Sequence, residues 1–270
     1  MSAEITPSDR VGLTLEDNGV AHLRLTRADK LNALDGPMIA ALLSAGEVLA
    51  AMPGLRCVVL SGEGRGFCAG LDMASVASGL ADQPPLTTRT HGNANQFQQL
   101  AMQFRKLPVP VIAAVHGVCL GGGLQIAAGA DIRVVAPTAR LAVLEMKWGL
   151  VPDVGGFALW RGLVREDVLR ALTYSNREFS GDEALALGFA TFLDRDPLAH
   201  ATALAAEIAS KSPLAIRAAK TLFNSSYDAS LDDILLAESV AQQRLLGSPD
   251  QIEAVRSQME RRSARFIADQ

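Results

Sequence analysis

Apolar and polar residues alternate along Val20-Ala-His-Leu-Arg-Leu25 with the two-residue period of a strand that buries one face. Asp35-Gly-Pro then opens an apolar-rich segment running to Met52. An Asp that accepts from first-turn amides, with Pro just inside, predicts a capped helix there. Cys57–Leu60, Val111–Val115 and Ile132–Val135 are continuous apolar runs without alternation, which predicts strands buried on both faces. Phe97, Leu100 and Phe104 recur at helical spacing on a segment that ends before Pro108. Strands alternating with helices predict βαβ-type units and an α/β fold class, with Ala190–Leu193 closing the sheet-forming region.

The final third changes character. Helix starts follow one another at Ser180-x-x-Glu183, Ser212-Pro213, Ser230-x-x-Asp233 and Ser248-Pro-Asp-Gln251, with Gly188 as the stop of the first. The expected division is a core over residues 1–195 and a helical region over 196–270, whose Ala- and Leu-rich faces must pack on the core or on another subunit. Gly79 to Asn95, with two prolines and many polar residues, is the candidate mobile loop. Val109 to Ala130 carries no Asp, Glu, Lys or Arg and is long enough to cross a bilayer as a helix. Pro110, His116 and Gly121-Gly122-Gly123 argue instead for strand, loop and helix in succession.

Composition narrows the function class. The 270 residues are 49% hydrophobic and 20% charged, close to a globular average, which excludes disordered and collagen-like chains. A net charge of -4 gives no general attraction to nucleic acid or to an anionic membrane. The three cysteines match neither a zinc pattern nor a disulfide framework, and the amino terminus shows no presequence; the expected location is the cytoplasm.

Three stretches could carry chemistry. Gly62-Glu-Gly-Arg-Gly-Phe-Cys-Ala-Gly70-Leu71-Asp72 follows the Cys57–Leu60 strand and is glycine-rich enough for backbone to approach a ligand, but it lacks the Lys-Ser/Thr ending of a phosphate loop. It reads equally as a structural turn. His116-Gly-Val-Cys-Leu-Gly121-Gly122-Gly123-Leu124-Gln125 leads from a strand into a helix expected to begin near Gln125. Free backbone N–H groups at such a start suit an oxyanion. His116 itself reads as a hydrogen-bonded structural histidine, since no second metal-type residue lies at a useful spacing. Finally, Glu145 sits among Leu144, Met146 and Trp148, with Asp153 eight residues on. A carboxylate in apolar surroundings loses hydration and gains basicity, as a general base requires. The same residue could instead pair with Lys147 or Arg140.

Taken in order, GxGxxFCAGLD, HGxxxGGG and an isolated Glu followed by GLxPxxGG resemble the enoyl-CoA hydratase/isomerase (crotonase) superfamily. Leu25-Thr-Arg-Ala-Asp-Lys-Leu-Asn-Ala-Leu34 is similar to its first strand and adenine-side CoA segment, and Ser212-Pro-Leu-Ala-Ile-Arg-Ala-Ala-Lys220 to its late helix start. The resemblance implies a spiral of ββα units carrying the acyl-CoA site, then a helical trimerisation region, with trimers often paired into hexamers. It implies an acyl-CoA thioester as substrate, CoA as the only cofactor, no metal, and neither nucleic acid nor membrane as partner. It maps the two oxyanion-hole N–H groups onto Leu71 and Gly122, the remaining substrate contacts onto Ala69, Gly70, Asp72, Gln125, Lys30 and Leu31, and the catalytic carboxylates onto Glu145 and Asp153. Lys30, Arg217 and Lys220 are the candidate partners of the CoA phosphates, the last two reaching a neighbouring subunit's ligand.

The chain departs from the hydratase pattern at one position. Hydratases carry Glu where this sequence has Gln125, and a glutamine orients water but cannot take its proton. Glu145 with an Asp eight residues on is similar to the pair in Δ3,5-Δ2,4-dienoyl-CoA isomerases, which also carry Asp at the position of Gln125. The expected activity is an isomerase that shifts a double bond of an enoyl- or dienoyl-CoA through a thioester enolate, in fatty-acid-type metabolism. The alternatives are an enoyl-CoA hydratase, other enolate chemistry on a CoA thioester, and a non-catalytic acyl-CoA-binding subunit.

Overall fold

The computed structural model describes residues 3–4, 8–75 and 84–266. Among these residues, β1 (Ala3–Glu4), β2 (Val11–Leu15), β3 (Val20–Leu25), β4 (Cys57–Gly62), β5 (Val111–Val115), β7 (Ile132–Val135) and β10 (Phe192–Leu193) form one sheet in that order. The first two pairings are antiparallel; from β3 onward every pairing is parallel. A smaller sheet joins β6 (Val118–Leu120), β8 (Arg140–Ala142) and β9 (Phe179–Ser180).

The unbroken apolar runs now have their reason. Leu23, Val58, Leu60, Val111 and Ala113 face the main core, while Val20, Cys57, Val59, Ile112, Ala114 and Val134 face the other way, onto Ala201 and Ala205 of α7 (Pro197–Ala209). A strand covered on both faces cannot alternate. The helix that opens the segment after residue 195 is thus a wall of the sheet itself.

Local chemistry sets the helix starts. Asp35 accepts from Met38 N at 2.8 Å and caps α1 (Gly36–Ala50). Asn95 and Gln98 form a reciprocal capping box at α2 (Gln96–Lys106). Ser180, Ser212, Ser230 and Ser248 each accept from the amide three residues on, starting α6 (Gly181–Leu187), α8 (Pro213–Ser225), α9 (Leu231–Leu245) and α10 (Pro249–Met259). Gly188, at φ 90°, ends α6 as expected. The remaining helices whose full span lies among the described residues are α3 (Gly122–Ala128), α4 (Gly156–Trp160) and α5 (Glu166–Ser175).

One expectation is met and two need adjustment. Val109–Ala130 divides into β5, β6 and α3, and no helix among the described residues is long and apolar enough to cross a membrane. The helix expected near Gln125 begins three residues earlier, at Gly122. A Cβ on Gly123 would lie 2.4 Å from Cys68 O, so the glycines here allow a helix to pack against backbone where they read as breakers. Of the Gly79–Asn95 loop, residues up to 83 lie outside the described residues. From Pro84 on the chain is folded on itself, with Thr88 N donating to Pro85 O at 2.8 Å and Arg89 Nη2 to Leu86 O at 2.9 Å.

Candidate active site

Two backbone amides converge where the sheets meet. Leu34 N donates to Gly70 O at 2.8 Å and Asp72 N to Leu34 O at 3.0 Å, so the bridge between Leu34 and Leu71 uses the bonds on either side of Leu71 and leaves its own N–H facing away. Gly122 is the first residue of α3, where a helix has no internal acceptor to offer. Among the described residues neither amide donates to a protein acceptor. Gly70 (φ 86°) and Gly121 (φ 50°) are needed for this approach. A Cβ on Gly70 would lie 2.7 Å from Leu120 O and 3.2 Å from Gly122 N. The parallel bridge Cys68↔Cys119 holds the two glycine-rich loops side by side.

The amides open into a cleft of about 40 Å³ lined by Ala69, Gly70, Leu71, Gly122, Leu144, Glu145 and Trp148. Glu145 begins a 3-10 turn, Glu145–Trp148, that closes on Gly149 in the left-handed region. Its side chain is buried, and burial pushes its carboxyl above the usual range. The ion pair that the sequence left open does not form, since Arg140 is paired with Glu178 at 2.8 Å and Lys147 lies over the Trp148 ring. Instead Gln125 Nε2 donates to Glu145 Oε1 at 2.5 Å, while the buried Glu145 Oε2 has no hydrogen-bond partner among the described residues. A desolvated carboxylate with one uncommitted oxygen, next to two uncommitted amides, can take a proton from a carbon whose carbonyl sits in the amides.

Asp153 lies on the following loop. Gln98 Nε2 donates to its Oδ1 at 3.0 Å and Asn95 Nδ2 to its Oδ2 at 3.3 Å, both from the start of α2. It is absent from the cleft wall that Glu145 shares with the two amides. The sequence reading missed Asn95 and Gln98; Asn95-x-x-Gln98 is a capping-box pattern, which marks the start of α2 but not the contact with Asp153.

The family model for enoyl-CoA hydratase/isomerase matches residues 16–269 of this chain. The chain belongs to the enoyl-CoA hydratase/isomerase family. A mouse relative, the mitochondrial Δ(3,5)-Δ(2,4)-dienoyl-CoA isomerase of Mus musculus, is 31% identical over 268 residues, covering 96% of this chain and 82% of that protein. Among solved structures, an enoyl-CoA hydratase from Mycobacterium tuberculosis H37Rv is similar with a TM-score of 0.85 at 26% identity, covering 97% of this chain and 100% of that one. One from Bacillus anthracis has a TM-score of 0.85 at 25% identity, covering 95% and 98%. The architecture is therefore the crotonase fold, mixed α/β with a helical carboxy-terminal region.

The other residues mapped from the family pattern divide by what they touch in this enoyl-CoA hydratase/isomerase family member. Leu31 (φ 52°) follows the short turn Ala28–Lys30 and accepts from Ala69 N at 2.9 Å; Lys30 is exposed beside it. The neighbouring Asn32, missed from sequence, is fully buried and donates to Glu63 O, Gly66 O and Phe67 O at 2.9–3.2 Å, stitching this segment to the first glycine-rich loop. Asp72 turns from the cleft to pair with Arg27 and to cap the turn at Ala74 and Ser75. Gln125 is also outside the cleft wall, with both its carboxamide oxygen and its nitrogen hydrogen-bonded behind Glu145. His116 bonds Gly64 O at 3.0 Å, the structural role expected of it.

Lys220 requires a correction. It is buried, not presented to a ligand, and its ammonium meets Phe104 O at 3.0 Å, Val109 O at 2.7 Å and Asp131 Oδ2 at 2.8 Å. A Lys on a late helix reads as solvated charge in sequence, but here α8 lies over the end of β5 and carbonyls replace the water. Arg217 likewise donates into its own chain, to Leu55 O at 3.3 Å.

Proposed function

We propose that this protein is an acyl-CoA isomerase that works through a thioester enolate. The observation that carries the reading is the pairing of Gln125 with Glu145. The position that would supply a second water-activating carboxylate holds a neutral amide, and one carboxylate oxygen is left to move protons. The thioester oxygen sits between the N–H groups of Leu71 and Gly122. Glu145 takes the α-proton through Oε2, and charge spreads onto the oxygen and along the conjugated chain. For a 3-enoyl-CoA the same carboxyl returns the proton at C4. For a 3,5-dienoyl-CoA the far end receives its proton from Asp153, which releases one of its two amide bonds to take that proton from solvent, and Glu145 returns its proton to solvent.

This chemistry asks for no metal or redox cofactor, since CoA arrives with the substrate. The exposed apolar side chains of the carboxy-terminal helices, Phe223, Leu231, Leu236 and Met259 among them, favour a homotrimer or a pair of trimers. The acidic net charge and the reduced cysteines favour a cytoplasmic site of action on intermediates of fatty-acid type.

The test is incubation in D2O with a 3,5-dienoyl-CoA, a 3-enoyl-CoA and crotonyl-CoA, following isomerisation, hydration and α-deuteration. Dominant double-bond migration, lost in Glu145→Gln, supports the reading. Rapid hydration of crotonyl-CoA overturns it in favour of a hydratase, and acyl-CoA binding without exchange overturns it in favour of a non-catalytic subunit.

A further inference from the structure

The two carboxylates assigned to proton transfer do not touch, and one side chain lies between them. Gln125 is fully buried. Its Nε2 donates to Glu145 Oε1 at 2.5 Å, and its Oε1 accepts from Val154 N at 2.8 Å and Gly156 N at 2.9 Å. Val154 directly follows Asp153, so the oxygen that receives these amides fixes the turn that carries the second carboxylate. The chain of bonds continues outward from Asp153 through Gln98, whose Oε1 accepts from Arg89 Nη1 at 2.9 Å.

The donors decide which way the carboxamide faces. Two backbone N–H groups require an oxygen opposite them, so the NH2 must point at Glu145. An NH2 only donates, which obliges Glu145 Oε1 to accept; a proton placed there would break the bond. The proton is left to Oε2, the buried oxygen without a partner among the described residues.

We infer that Gln125 is a positioning residue that assigns Oε2 as the proton-carrying oxygen of Glu145 and sets the separation between Glu145 and Asp153. The inference rests on the enolate reading of this site. It also accounts for the amide at this position. A carboxylate at 125 could accept the same two N–H groups, but its other oxygen would then meet Glu145 Oε1 at hydrogen-bonding distance, and the two would have to share a proton. Glu145 would no longer be a free base at neutral pH.

The test compares wild type with Gln125→Met, which matches the volume and removes every hydrogen bond, and Gln125→Glu, which keeps the acceptor for Val154 and Gly156. The first readout is α-deuteration of butyryl-CoA in D2O, which needs an enolate but no isomerisation. Gln125→Met is expected to lower the maximal exchange rate about 100-fold, the scale of a misplaced catalytic group, with KM nearly unchanged and the acid limb of the pH profile moved upward. Gln125→Glu is expected to move that limb further up and to recover exchange in alkali. A lower Tm with the rate and the limb both unmoved would mean that Gln125 only packs the core, and would overturn the inference.

The second readout needs no turnover. The infrared band of the protonated Glu145 carboxyl, identified by its loss in Glu145→Gln, should lie at a hydrogen-bonded C=O frequency in wild type and shift upward in Gln125→Met. An unshifted band overturns the inference whatever the activity. A wild type that shows the band shift but exchanges no proton leaves the positioning role intact and sinks the enolate reading.

Discussion

Arg27 Nη1 donates to Asp72 Oδ2 at 2.8 Å across a separation of 45 residues. The other Asp72 oxygen accepts from Ala74 N at 3.2 Å and Ser75 N at 3.4 Å, and Asp72 directly follows the Leu71 amide. The guanidinium holds this carboxyl below the usual carboxylate range. Arg27 also donates to Ala33 O at 3.0 Å, so a single side chain ties together both segments flanking the amide that faces the cleft. Arg27→Met is expected to lower the maximal rate of α-proton exchange about 10-fold, equivalent to about 1.4 kcal/mol of transition-state stabilisation, with a smaller change in KM. An unchanged rate would show that the loop holds Leu71 in place without the ion pair.

Burial raises the Glu145 carboxyl above the ordinary glutamate value of about 4.3. The role proposed for Glu145 requires the ionised form, so exchange is expected to fall as pH drops through the raised value, with its limb above that of an exposed glutamate. Stability runs the opposite way. A group bound more tightly by its proton in the folded state contributes fully below the unfolded value and loses that contribution as pH rises through the folded one. At neutral pH the ionised side chain is a net cost. Glu145→Gln should therefore reduce exchange about 100- to 10,000-fold while raising Tm, by roughly 2–4 °C for each kcal/mol relieved. A lower Tm at neutral pH, measured by calorimetry, would contradict the buried-base assignment.

The Gly122 N–H can be deleted without touching a side chain that reacts. Gly122→Pro removes the donor at the first turn of α3, where proline is tolerated, and Gly122→Ala adds a comparable Cβ while keeping the N–H. Each Cβ would approach Leu34 Cδ1 at 3.1 Å, so that part of the steric effect is common to both, while the proline ring adds Cδ where the N–H pointed. The ratio of their exchange rates reports loss of the N–H together with the ring carbon that replaces it, and is expected to be at least about 100-fold. Equal rates in two folded variants would remove Gly122 from the oxyanion hole.

Sequence signals located the backbone parts of this site better than its side-chain contacts. The glycines at 70 and 121–123 marked close backbone approach, and the lone Glu145 in an apolar run marked desolvation, because both are local properties. That Gln125 would face Glu145, or that Asn95 and Gln98 would hold Asp153, depends on elements 20 to 58 residues apart and has no local signature. The short strands β6, β8 and β9 were invisible for a related reason: two or three residues are too few to show a period. Lys220 misled because burial of a charge is decided by what covers it, and α8 reaches Asp131 across 89 residues.

That buried lysine gives a prediction about stability. Its ammonium is 5% exposed and bonded to two carbonyls and a carboxylate, and Asp131 Oδ2 also accepts from Val111 N at 2.7 Å. Removing one partner of such a pair leaves the others desolvated and unmatched, at a cost of about 3–5 kcal/mol. Lys220→Met is expected to lose about that much in urea unfolding, with KM for acyl-CoA unchanged in the protein that remains folded. A raised KM with normal stability would return Lys220 to the list of CoA contacts.

Lys30 is the candidate that remains for the CoA phosphates. It is exposed at the end of the Ala28–Lys30 turn, and Leu31 next to it accepts from Ala69 N on the cleft wall, so residue 30 adjoins the segment that lines the cleft. An exposed charge pair is worth up to about 1 kcal/mol, so Lys30→Ala should raise KM for an acyl-CoA about fivefold at low salt and less at high salt. The same acyl group on N-acetylcysteamine, which lacks the phosphates, should show no change. If KM rises equally for both thioesters, Lys30 acts on the fold of the loop rather than on the nucleotide, and the phosphates must be met by another part of the surface.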